Sequence, residues 1–376
     1  MRTNATWAVL LAIAVLFAGC TAEDGAGTAK DLPKITIGHV GHDHQIALYV
    51  AALSPDLTKE KCGIWLQEKK SREVYDLMDG EDAVAELHLI KVGGGSSMPA
   101  AMERGEIDVG LGGIPAVMFF IDKGADFKIL SPLNVDGDML LVRPDFPAND
   151  WGSFVKAVKE SEKPIRIGYK APVAVAKLVF VGALNASGIA SSESAPPEGG
   201  VELVNLQGGK NIVPALESGI VDGAVINEPF GSISVAKGVG KIVSLLADLP
   251  PEGKWKSHPC CCVCATAKTI SENRPELVKL LAMLAAATET INGNGETAAK
   301  LAAAWTKRSI EVESQSVPNI VYVMEPGESY RTGLATWHSM MEKIGKFSGR
   351  LKGVPFDQAF NIGHDLTLIE EALRDQ

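Results

Sequence analysis

Short apolar runs alternate with helical patterns along most of this chain, which is typical of α/β proteins. The runs that are apolar throughout predict strands covered on both faces, as in a parallel sheet flanked by helices. Gly105 directly follows one helical segment, at the place where a glycine commonly ends a helix. The first predicted elements are, in chain order, a strand at 35–40, a helix at 45–52, a strand at 86–92, a helix at 98–104 and a strand at 107–111.

Two stretches of the chain resemble each other. Residues 99–110 and 214–224 each contain a short helical segment, a glycine that stops it, and a strand that begins with an acidic residue, Asp108 or Asp222. A glycine-rich loop precedes each helix, so backbone N–H groups at two helix N-termini are predicted to bind anions or polar ligands. The separation is too long for a solenoid and predicts two similar α/β lobes that face each other.

The N-terminus has the pattern of a bacterial lipoprotein signal. Arg2 precedes an almost unbroken apolar run at 7–18, which is shorter than a transmembrane span. Residues 16–20 (LFAGC) form a lipobox, so Cys20 is predicted to become the lipidated first residue of the mature protein. The small polar residues 21–30 suit a tether between lipid and domain. The alternative is a signal peptide cleaved at another position.

Composition and charge narrow the classes of partner. The 376 residues include 46 Asp and Glu against 36 Lys and Arg, for a formal net charge of −10. This acidity argues against nucleic acid and against a polybasic membrane surface as partners. About 345 residues beyond the tether are too many for one compact core, so two lobes are expected. The cysteines other than Cys20 are odd in number and clustered, which argues against a disulfide framework.

Four cysteines lie within the five residues 260–264 (CCCVC). Side chains alternate between the two faces of a strand, so Cys260, Cys262 and Cys264 are expected on one face. Three thiols on one face can bind a soft metal, face a ligand cleft or serve redox chemistry. Neighbours at i and i+2 have poor geometry for a disulfide. The alternative is that these cysteines are small apolar side chains of a buried strand.

The segment after the first strand is rich in histidine and contains His39, His42, Asp43, His44 and Gln45. It lies at the carboxyl end of a predicted parallel strand, where ligands bind in open α/β sheets. His39, His44 and Gln45 are therefore predicted to contact the ligand. His42 is a candidate metal ligand together with the cysteines, and such donors select zinc, Cu(I) or iron over magnesium or calcium. The alternative is that Asp43 or His44 only caps the helix.

Further candidates for ligand contact lie where strands end and helices begin. They are Gly94, Ser96, Ser97, Gly113, Lys170, Asn227 and Glu228. The glycine–serine loop offers hydroxyl and amide groups to a polar ligand, and Gly113 allows close approach of the backbone. Lys170 would pair with an anionic group, whereas Glu228 would favour a cationic or hydrogen-bond-donating ligand.

Five segments occur in an order and spacing that together are specific. They are GGGSSMPAAMERGEIDVGLGG at 93–113, MLLVRP at 139–144, IRIGY at 165–169, PALESGIVDGAVINEPF at 214–230 and ISENRPELVKLL at 270–281. With the lipobox, they resemble the nitrate/sulfonate/taurine class of ABC-transporter solute-binding proteins. The resemblance implies the two-lobed periplasmic-binding-protein (type II) fold, an α/β fold with mixed, mostly parallel sheets flanked by helices and a ligand cleft between the lobes.

The same resemblance implies a division of the chain with a discontinuous first lobe. Residues 139–142 and 260–265 would be paired strands near the hinge. The division is a lipoprotein signal peptide at 1–19, a tether at 20–33, the first part of lobe I at 34–137, lobe II with hinge strands at 138–265, and the second part of lobe I at 266–376.

A narrower resemblance concerns the cysteine strand. CCCVC at 260–264 precedes NRPELV at 273–278, and the fungal-type thiamine-pyrimidine synthase carries a CCCFC motif before a similar helix. In that family the motif is associated with iron, and the enzyme consumes its own histidine and a lysine-bound pyridoxal phosphate. The matching positions here are Gly112 for the lysine and Ala116 for the histidine. The resemblance therefore implies a shared cysteine strand and weighs against shared catalysis.

The sequence thus predicts a lipid-anchored solute-binding protein of an ABC importer, in the periplasm or at the cell surface. It is expected to act as a monomer that captures a small polar organic or anionic ligand by lobe closure, with permease and ATPase subunits as partners. No cofactor is required, although iron, zinc or copper at the cysteines remains a candidate. The alternatives are an enzyme similar to thiamine-pyrimidine synthase, and a metal- or thiol-based binding or sensing lipoprotein.

Overall fold

The computed structural model describes residues 32–94, 97–196 and 198–374, which form two β-sheets with helices packed on them. The signal peptide, the tether up to residue 31 and Cys20 lie outside the described residues. The strands are β1 Lys34–His39, β2 Ile64–Lys70, β3 Val74–Asp79, β4 Asp82–Lys91, β5 Val109–Gly113, β6 Phe127–Asp136, β7 Asp138–Val142, β8 Ile165–Tyr169, β9 Ser191–Ser192, β10 Val201–Asn205, β11 Gly223–Asn227, β12 Lys241–Leu245, β13 Pro259–Thr266 and β14 Ile320–Tyr322.

The larger sheet has the strand order β14-β6-β13-β5-β1-β4-β3-β2. Its centre is parallel, because β1 pairs in parallel with both β4 and β5. Antiparallel strands extend it on both sides, with β13 between β5 and β6 on one side and the β2–β3 hairpin on the other. The parallel strand ends of β1 and β5 therefore meet at one edge of this sheet, where a ligand can be held.

The smaller sheet has the strand order β12-β7-β11-β8-β10-β9. Strands β8, β9, β10 and β11 are parallel to one another, whereas β7 runs antiparallel to both β11 and β12. All of its strands come from one continuous part of the chain, residues 138–245.

Helices cover both sheets, and their bounds follow the apolar pattern. They are α1 Ile46–Leu53, α2 Pro55–Cys62, α3 Met98–Glu103, α4 Ile114–Asp122, α5 Trp151–Glu160, α6 Val175–Ala186, α7 Ile212–Glu217, α8 Phe230–Ala236, α9 Ala267–Glu272, α10 Arg274–Gly293, α11 Gly295–Thr306, α12 Ile310–Ser316, α13 Glu328–Lys343, α14 Phe356–Gly363 and α15 Thr367–Arg374. Helix α1 (IALYVAAL) is apolar all round and packs against α10 and α11, as expected for a buried helix. In the described part of the chain, every helix is too short or too polar to cross a membrane.

Two connections join the sheets. The chain leaves the larger sheet between β6 and β7 through the single residue Gly137 and returns through residues 246–258 to β13. Gly137 has a positive φ of 85°, a conformation that glycine adopts without strain. Because both connections are short and neighbouring, they are the natural place for one sheet to move relative to the other.

The internal repeat is present in three dimensions. The Asp108 carboxylate accepts a hydrogen bond from the backbone N–H of Thr36 (2.8 Å), and the Asp222 carboxylate accepts one from that of Arg166 (2.9 Å). In each case an acidic residue before a strand bonds to the neighbouring parallel strand, in the larger sheet for Asp108 and in the smaller sheet for Asp222. Gly105 and Gly219, which end the two short helices, both have positive φ.

The predicted fold class is confirmed, and so is the parallel arrangement of the first strands. The hairpin of β2 and β3 was not predicted. The expected pairing of residues 139–142 with 260–265 is wrong, because β7 pairs with β11 and β12 while β13 pairs with β5 and β6. The lobe boundaries deduced from the sequence remain a prediction.

Candidate functional site

A cavity of about 630 Å³, its open mouth included, lies where the two sheets face each other. Residues of the larger-sheet part form one wall, and residues of the smaller-sheet part form the other. The first wall consists of Val40, His42, His44, Gln45, Gly94, Gly112, Gly113, Ala116, Cys260 and Cys261, and the second of Asp138, Lys170, Ala171, Val173, Ala174, Val175, Gly208 and Gly209.

The turn after β1 is held rigidly at the cavity wall by Gln45. The Gln45 side-chain oxygen accepts a hydrogen bond from the Val40 N–H at 2.8 Å, and its amide nitrogen donates to the carbonyl of Leu111 in β5. Gln45 therefore fixes the turn to the neighbouring strand, and this structural use occupies the groups that were predicted to contact ligand.

His44 directs one ring nitrogen at two thiols. Its Nε2 lies 3.3 Å from the carbonyl oxygen of Gly137, which can only accept, so in the neutral ring Nε2 carries the proton. The other nitrogen, Nδ1, then carries the lone pair, and it lies 3.3 Å from Cys260 Sγ and 3.9 Å from Cys261 Sγ. The amide nitrogen of Asn134 also lies 3.1 Å from Nδ1 and can donate to this lone pair. The contact of Nε2 with the Gly137 carbonyl is of the kind that positions a histidine that binds metal through its other nitrogen.

A β-bulge brings Cys260 and Cys261 together. Cys260 has no partner in either ladder of β13, while its neighbours Pro259 and Cys261 pair with Val135 and Asn134 of β6. The extra residue interrupts the alternation of faces. As a result, the two Sγ atoms are 3.9 Å apart and both thiols line the cavity.

The two thiols of the bulge titrate in opposite directions. A hydrogen bond from Cys260 and contact with His44 lower the pKa of Cys261 to about 5, against the effect of burial. The same hydrogen bond, together with burial and the negative charge of Asp138, raises the pKa of Cys260 well above its usual value. Loss of a proton is therefore favoured at Cys261 over Cys260.

Cys262 and Cys264 point away from this pair, so the predicted metal set of Cys260, Cys262, Cys264 and His42 is not assembled. Both are fully buried, and their thiols lie 3.6 Å and 3.4 Å from the carbonyl oxygens of Gly112 and Gly110. Among the described residues, the group of three or more potential metal ligands with mutually close donor atoms is His44, Cys260 and Cys261. The alternation rule fails here because it does not foresee the bulge.

The opposite wall of the cavity carries positive charge. Lys170 lies directly after β8, and its ammonium group donates to the side-chain oxygen of Asn227. The N-terminus of α6, at Ala174 and Val175, and the loop at Gly208 and Gly209 also face the cavity. Unpaired backbone N–H groups at such positions favour a negatively charged or polar ligand group.

His258 links the two connections between the sheets. Its Nδ1 lies 2.7 Å from the Trp255 carbonyl oxygen and 3.0 Å from Asp136 Oδ1, and its Nε2 lies 3.3 Å from Asp138 Oδ2. Both nitrogens thus face acceptors, which requires the charged imidazolium. Burial opposes the charge, but the hydrogen bonds of both carboxylates outweigh it and raise the pKa of His258 to about 9.

Several residues predicted from the sequence line the cavity. They are His42, His44, Gln45, Gly94, Gly113, Lys170 and Cys260. Their roles as ligand or metal contacts remain predictions, since no ligand defines them. Ser96 and Cys20 lie outside the described residues.

Other predicted residues lie elsewhere. His39 is buried against Tyr49 and Trp305 behind the cavity wall, and Ser97 is exposed beside α3. Asn227 does not line the cavity, but its side-chain oxygen accepts a hydrogen bond from Lys170, which does. Both carboxylate oxygens of Glu228 are bonded, to Ser232 and to Asn319. This carboxylate is therefore engaged in holding α8 rather than directed at the cavity.

Two residues at the cavity were missed by sequence reasoning. Asp138 is buried at the start of β7 with its Oδ2 3.5 Å from Cys260 Sγ, and nothing in the pattern around it marks it. Cys261 was assigned to the opposite face from Cys260. Gly209 also lines the cavity, and the glycine-rich loop of the second repeat could have predicted this position.

The two positions matched from the sequence to the cofactor-binding lysine and the consumed histidine of the thiamine-pyrimidine synthase both line the cavity. They are Gly112 and Ala116, neither of which has a side chain that can bind pyridoxal phosphate or be oxidised. Lys170 is the one lysine among the described residues that line the cavity. It lies on the opposite wall, directly after β8 of the smaller sheet.

Comparison with known proteins gives the family. The profile of the NMT1-like family matches residues 31–306, and the chain belongs to this family. An uncharacterized protein, MJ1180 of Methanocaldococcus jannaschii, is 37% identical over 140 residues, which are 37% of this chain and 94% of that protein.

Solved structures share the fold at low sequence identity, and this confirms the predicted resemblance at the level of the fold. The zinc-bound ligand-binding component of an ABC-type import system from Staphylococcus aureus has a TM-score of 0.70 at 15% identity, over 90% of this chain and 99% of that one. The nitrate-binding protein NrtA from Synechocystis PCC 6803 has a TM-score of 0.70 at 14% identity, over 92% and 89%. The aliphatic sulphonate-binding protein SsuA from Escherichia coli has a TM-score of 0.63 at 15% identity, over 87% and 97%.

Proposed function

We propose that this member of the NMT1-like family is the solute-binding protein of an ABC importer. The observation that carries the proposal is the cavity lined by both sheets, which are joined by two short neighbouring connections. In such an arrangement a ligand that contacts both walls binds the closed state better than the open state, and so drives closure. The names of the solved structures that share the fold support the same role.

The chemistry of the cavity supports a small polar or anionic ligand. Lys170 supplies a positive charge, and the N-terminus of α6 and the glycine loop at 208–209 supply N–H donors. Asp138 adds no free negative charge, because His258 neutralises it. A ligand with a carboxylate, sulfonate or similar group at the Lys170 wall fits these features.

The lipobox at Cys20 supports attachment to a membrane outside the cytoplasm, with a tether up to residue 33 and the described domain beyond it. Permease and ATPase subunits would receive the solute. We keep the division into lobe I at 34–137 and 266–376 and lobe II at 138–265, with the amendment that β13 belongs to the larger sheet.

A second candidate function is the binding of a soft metal ion by His44, Cys260 and Cys261. The observation that favours it is the set of donor distances: 3.9 Å between the sulfurs, and 3.3 Å and 3.9 Å from His44 Nδ1 to each. A tetrahedral zinc ion with normal bond lengths needs about 3.8 Å between two sulfurs and about 3.6 Å between nitrogen and sulfur. The residues therefore fit zinc, and the same soft donors suit Cu(I) or iron.

The synthase-like alternative receives less support. Gly112 and Ala116 line the cavity, but neither has the lysine amine or the histidine imidazole that the synthase reaction needs. The thiols of Cys260 and Cys261 are the reactive groups that remain there. We therefore propose binding rather than catalysis.

Native mass spectrometry of the full-length protein, purified without oxygen, tests both candidates, with elemental analysis of the same sample. A bound organic anion that is lost in Lys170→Met and retained in the exposed control Lys156→Met would support the importer role. Stoichiometric zinc, copper or iron that is lost in Cys260→Ser would support the metal role. If neither an organic mass nor a metal is found and no anion protects the protein against thermal unfolding, both proposals fail.

A further inference from the structure

The two thiols of the bulge are placed to react with each other. Their sulfurs are 3.9 Å apart, whereas a disulfide bond is about 2.0 Å long, so the gap closes when both side chains rotate and the backbone between them distorts. Cys260 has no partner strand residue, so its part of the backbone is less constrained than the rest of β13. Both thiols also line the cavity, and a small molecule can therefore reach them.

We propose that Cys260 and Cys261 are a reversible thiol-modification site, which a low-molecular-weight organic disulfide entering the cavity oxidises to a vicinal disulfide. The inference goes beyond the proposed import function. It requires only that the cavity admits small molecules, and it does not depend on which solute is carried.

The reaction balances as two thiol–disulfide exchanges. One of the two thiols, after giving its proton to water, attacks one sulfur of the entering disulfide, forms a mixed disulfide and releases one small thiolate. The second thiol of the pair, whose sulfur lies 3.9 Å from the first, gives its proton to the released small thiolate and attacks the protein sulfur of the mixed disulfide. The second small thiolate leaves and takes up the proton that the first protein thiol had released to water. One organic disulfide is reduced to two thiols, and two protein thiols are oxidised.

The geometry also accounts for reversibility and for an effect on the cavity. A disulfide between adjacent residues closes a strained ring, and strained disulfides are the ones that are readily reduced. Its formation consumes two of the three donors in the set His44, Cys260 and Cys261, and moves both sulfurs in the wall. Oxidation would therefore abolish the binding of soft metal at this place.

The other two cysteines of β13 provide an internal control. Cys262 and Cys264 are fully buried, and neither borders the cavity. Their thiols contact the carbonyl oxygens of Gly112 and Gly110 instead. A reagent that reaches the site through the cavity should leave both of them reduced.

The experiment uses the full-length protein, reduced and treated with a chelator, and then exposed to glutathione disulfide. The protein is denatured, alkylated with iodoacetamide and digested, and the peptide that carries residues 260–264 is analysed by mass spectrometry. We expect the wild-type peptide to lose two alkylation sites, at Cys260 and Cys261, and dithiothreitol to restore both. Cys262→Ser should react as the wild type does.

Two variants test the requirement for both thiols. Cys260→Ser and Cys261→Ser should each form no disulfide within the peptide, and the reaction should stop at a mixed disulfide with glutathione, because the resolving thiol is missing. Full alkylation of the wild-type peptide, at a concentration of glutathione disulfide that oxidises the denatured chain, would overturn the proposal. So would a disulfide that includes Cys262 or Cys264. Any co-purified solute is removed before the reagent is added, because it would fill the same cavity. The readouts then report on the two thiols alone, so they can fail while the importer role stands.

Discussion

His258 Nε2 lies 3.3 Å from Asp138 Oδ2, and this contact joins the two chain segments that connect the sheets. Asp138 begins β7 just after the outward connection, and His258 ends the return connection just before β13. Asp136, at the end of β6, pairs with the other ring nitrogen at 3.0 Å. The His258 imidazolium therefore binds Asp136 and Asp138, which flank Gly137, to the segment at 246–258 that returns to β13. These contacts lie next to the thiols of the cavity.

The first prediction concerns the pH dependence of stability. The pKa of His258 is about 9 in the folded protein and 6.5 in the unfolded chain, so protonation favours the folded state. This contribution is fully present below pH 6.5 and is lost as the pH rises to about 9. The shift corresponds to ~3 kcal/mol of the free energy of unfolding.

Urea unfolding between pH 6 and pH 9.5 measures this contribution. His258→Gln should be least stable relative to the wild type at the lower pH and should approach it at the higher. His88→Gln, on the surface of β4, is the matched control and should keep the pH profile of the wild type. A profile of His258→Gln parallel to that of the wild type would show that the imidazolium is not what holds the connections.

The second prediction concerns Gly137. An added Cβ would lie 2.8 Å from His44 Nε2 and 2.8 Å from Ile320 Cγ1, and φ is positive. Gly137→Ala should therefore combine a backbone cost of about 1–2 kcal/mol with a displacement of His44. Gly345→Ala, where φ is also positive but the added Cβ meets nothing within 4 Å, isolates the backbone cost. Urea midpoints should fall more for Gly137→Ala, and equal losses would contradict the steric argument.

The third prediction uses the internal repeat. Asp108→Ala removes the acceptor for the Thr36 N–H, and Asp222→Ala removes that for the Arg166 N–H. Each should lower the free energy of unfolding by about 1–3 kcal/mol, and the losses should add because the residues lie in different sheets. Glu103→Ala, an exposed acidic residue at the end of α3, should change it little. A double variant no worse than the single ones would argue against independent roles.

The fourth prediction concerns the charge of the cavity. Among the described residues that line the cavity, Lys170 is the one Lys or Arg. Lys170→Met should therefore weaken the binding of an anionic solute tenfold or more. The binding should also lose most of its dependence on salt concentration. Isothermal titration with the anion identified by mass spectrometry provides the measurement. Lys156→Met, exposed on α5, is the control, and equal affinities of the two variants would remove Lys170 from the site.

The fifth prediction concerns metal binding. His44→Ala and Cys260→Ser should each weaken zinc binding by at least about a hundredfold, because each removes one of three donors. Cys262→Ser should retain it within a few-fold, since that thiol contacts the Gly112 carbonyl instead. Competition with a chromophoric chelator under reducing conditions gives the affinities. Loss of zinc in Cys262→Ser alone would return the metal site to the set deduced from the sequence.

The local pattern of apolar residues and glycines was sufficient to predict much of the fold. The apolar strands and the glycine-terminated short helices predicted the parallel centre of each sheet and the repeat that contains Asp108 and Asp222. The β2–β3 hairpin was missed because residues 64–79 carry many charged side chains on their exposed face. For the cavity, strand ends and helix starts drew attention to His44, Gly113 and Lys170, which line it, and their contact with ligand remains a prediction.

By itself, the sequence determined the fold class, the two-part organisation and the general position of the cavity, since these follow from the order of apolar segments. Only the tertiary structure decided which thiols meet. The bulge at Cys260 depends on how β13 pairs with β5 and β6, and these pairings join residues more than a hundred positions apart. Whether Asp138 and His44 reach the same sulfur likewise depends on how the two connections pass each other. Distances of this kind arise from the packing of remote segments, and no local pattern encodes them.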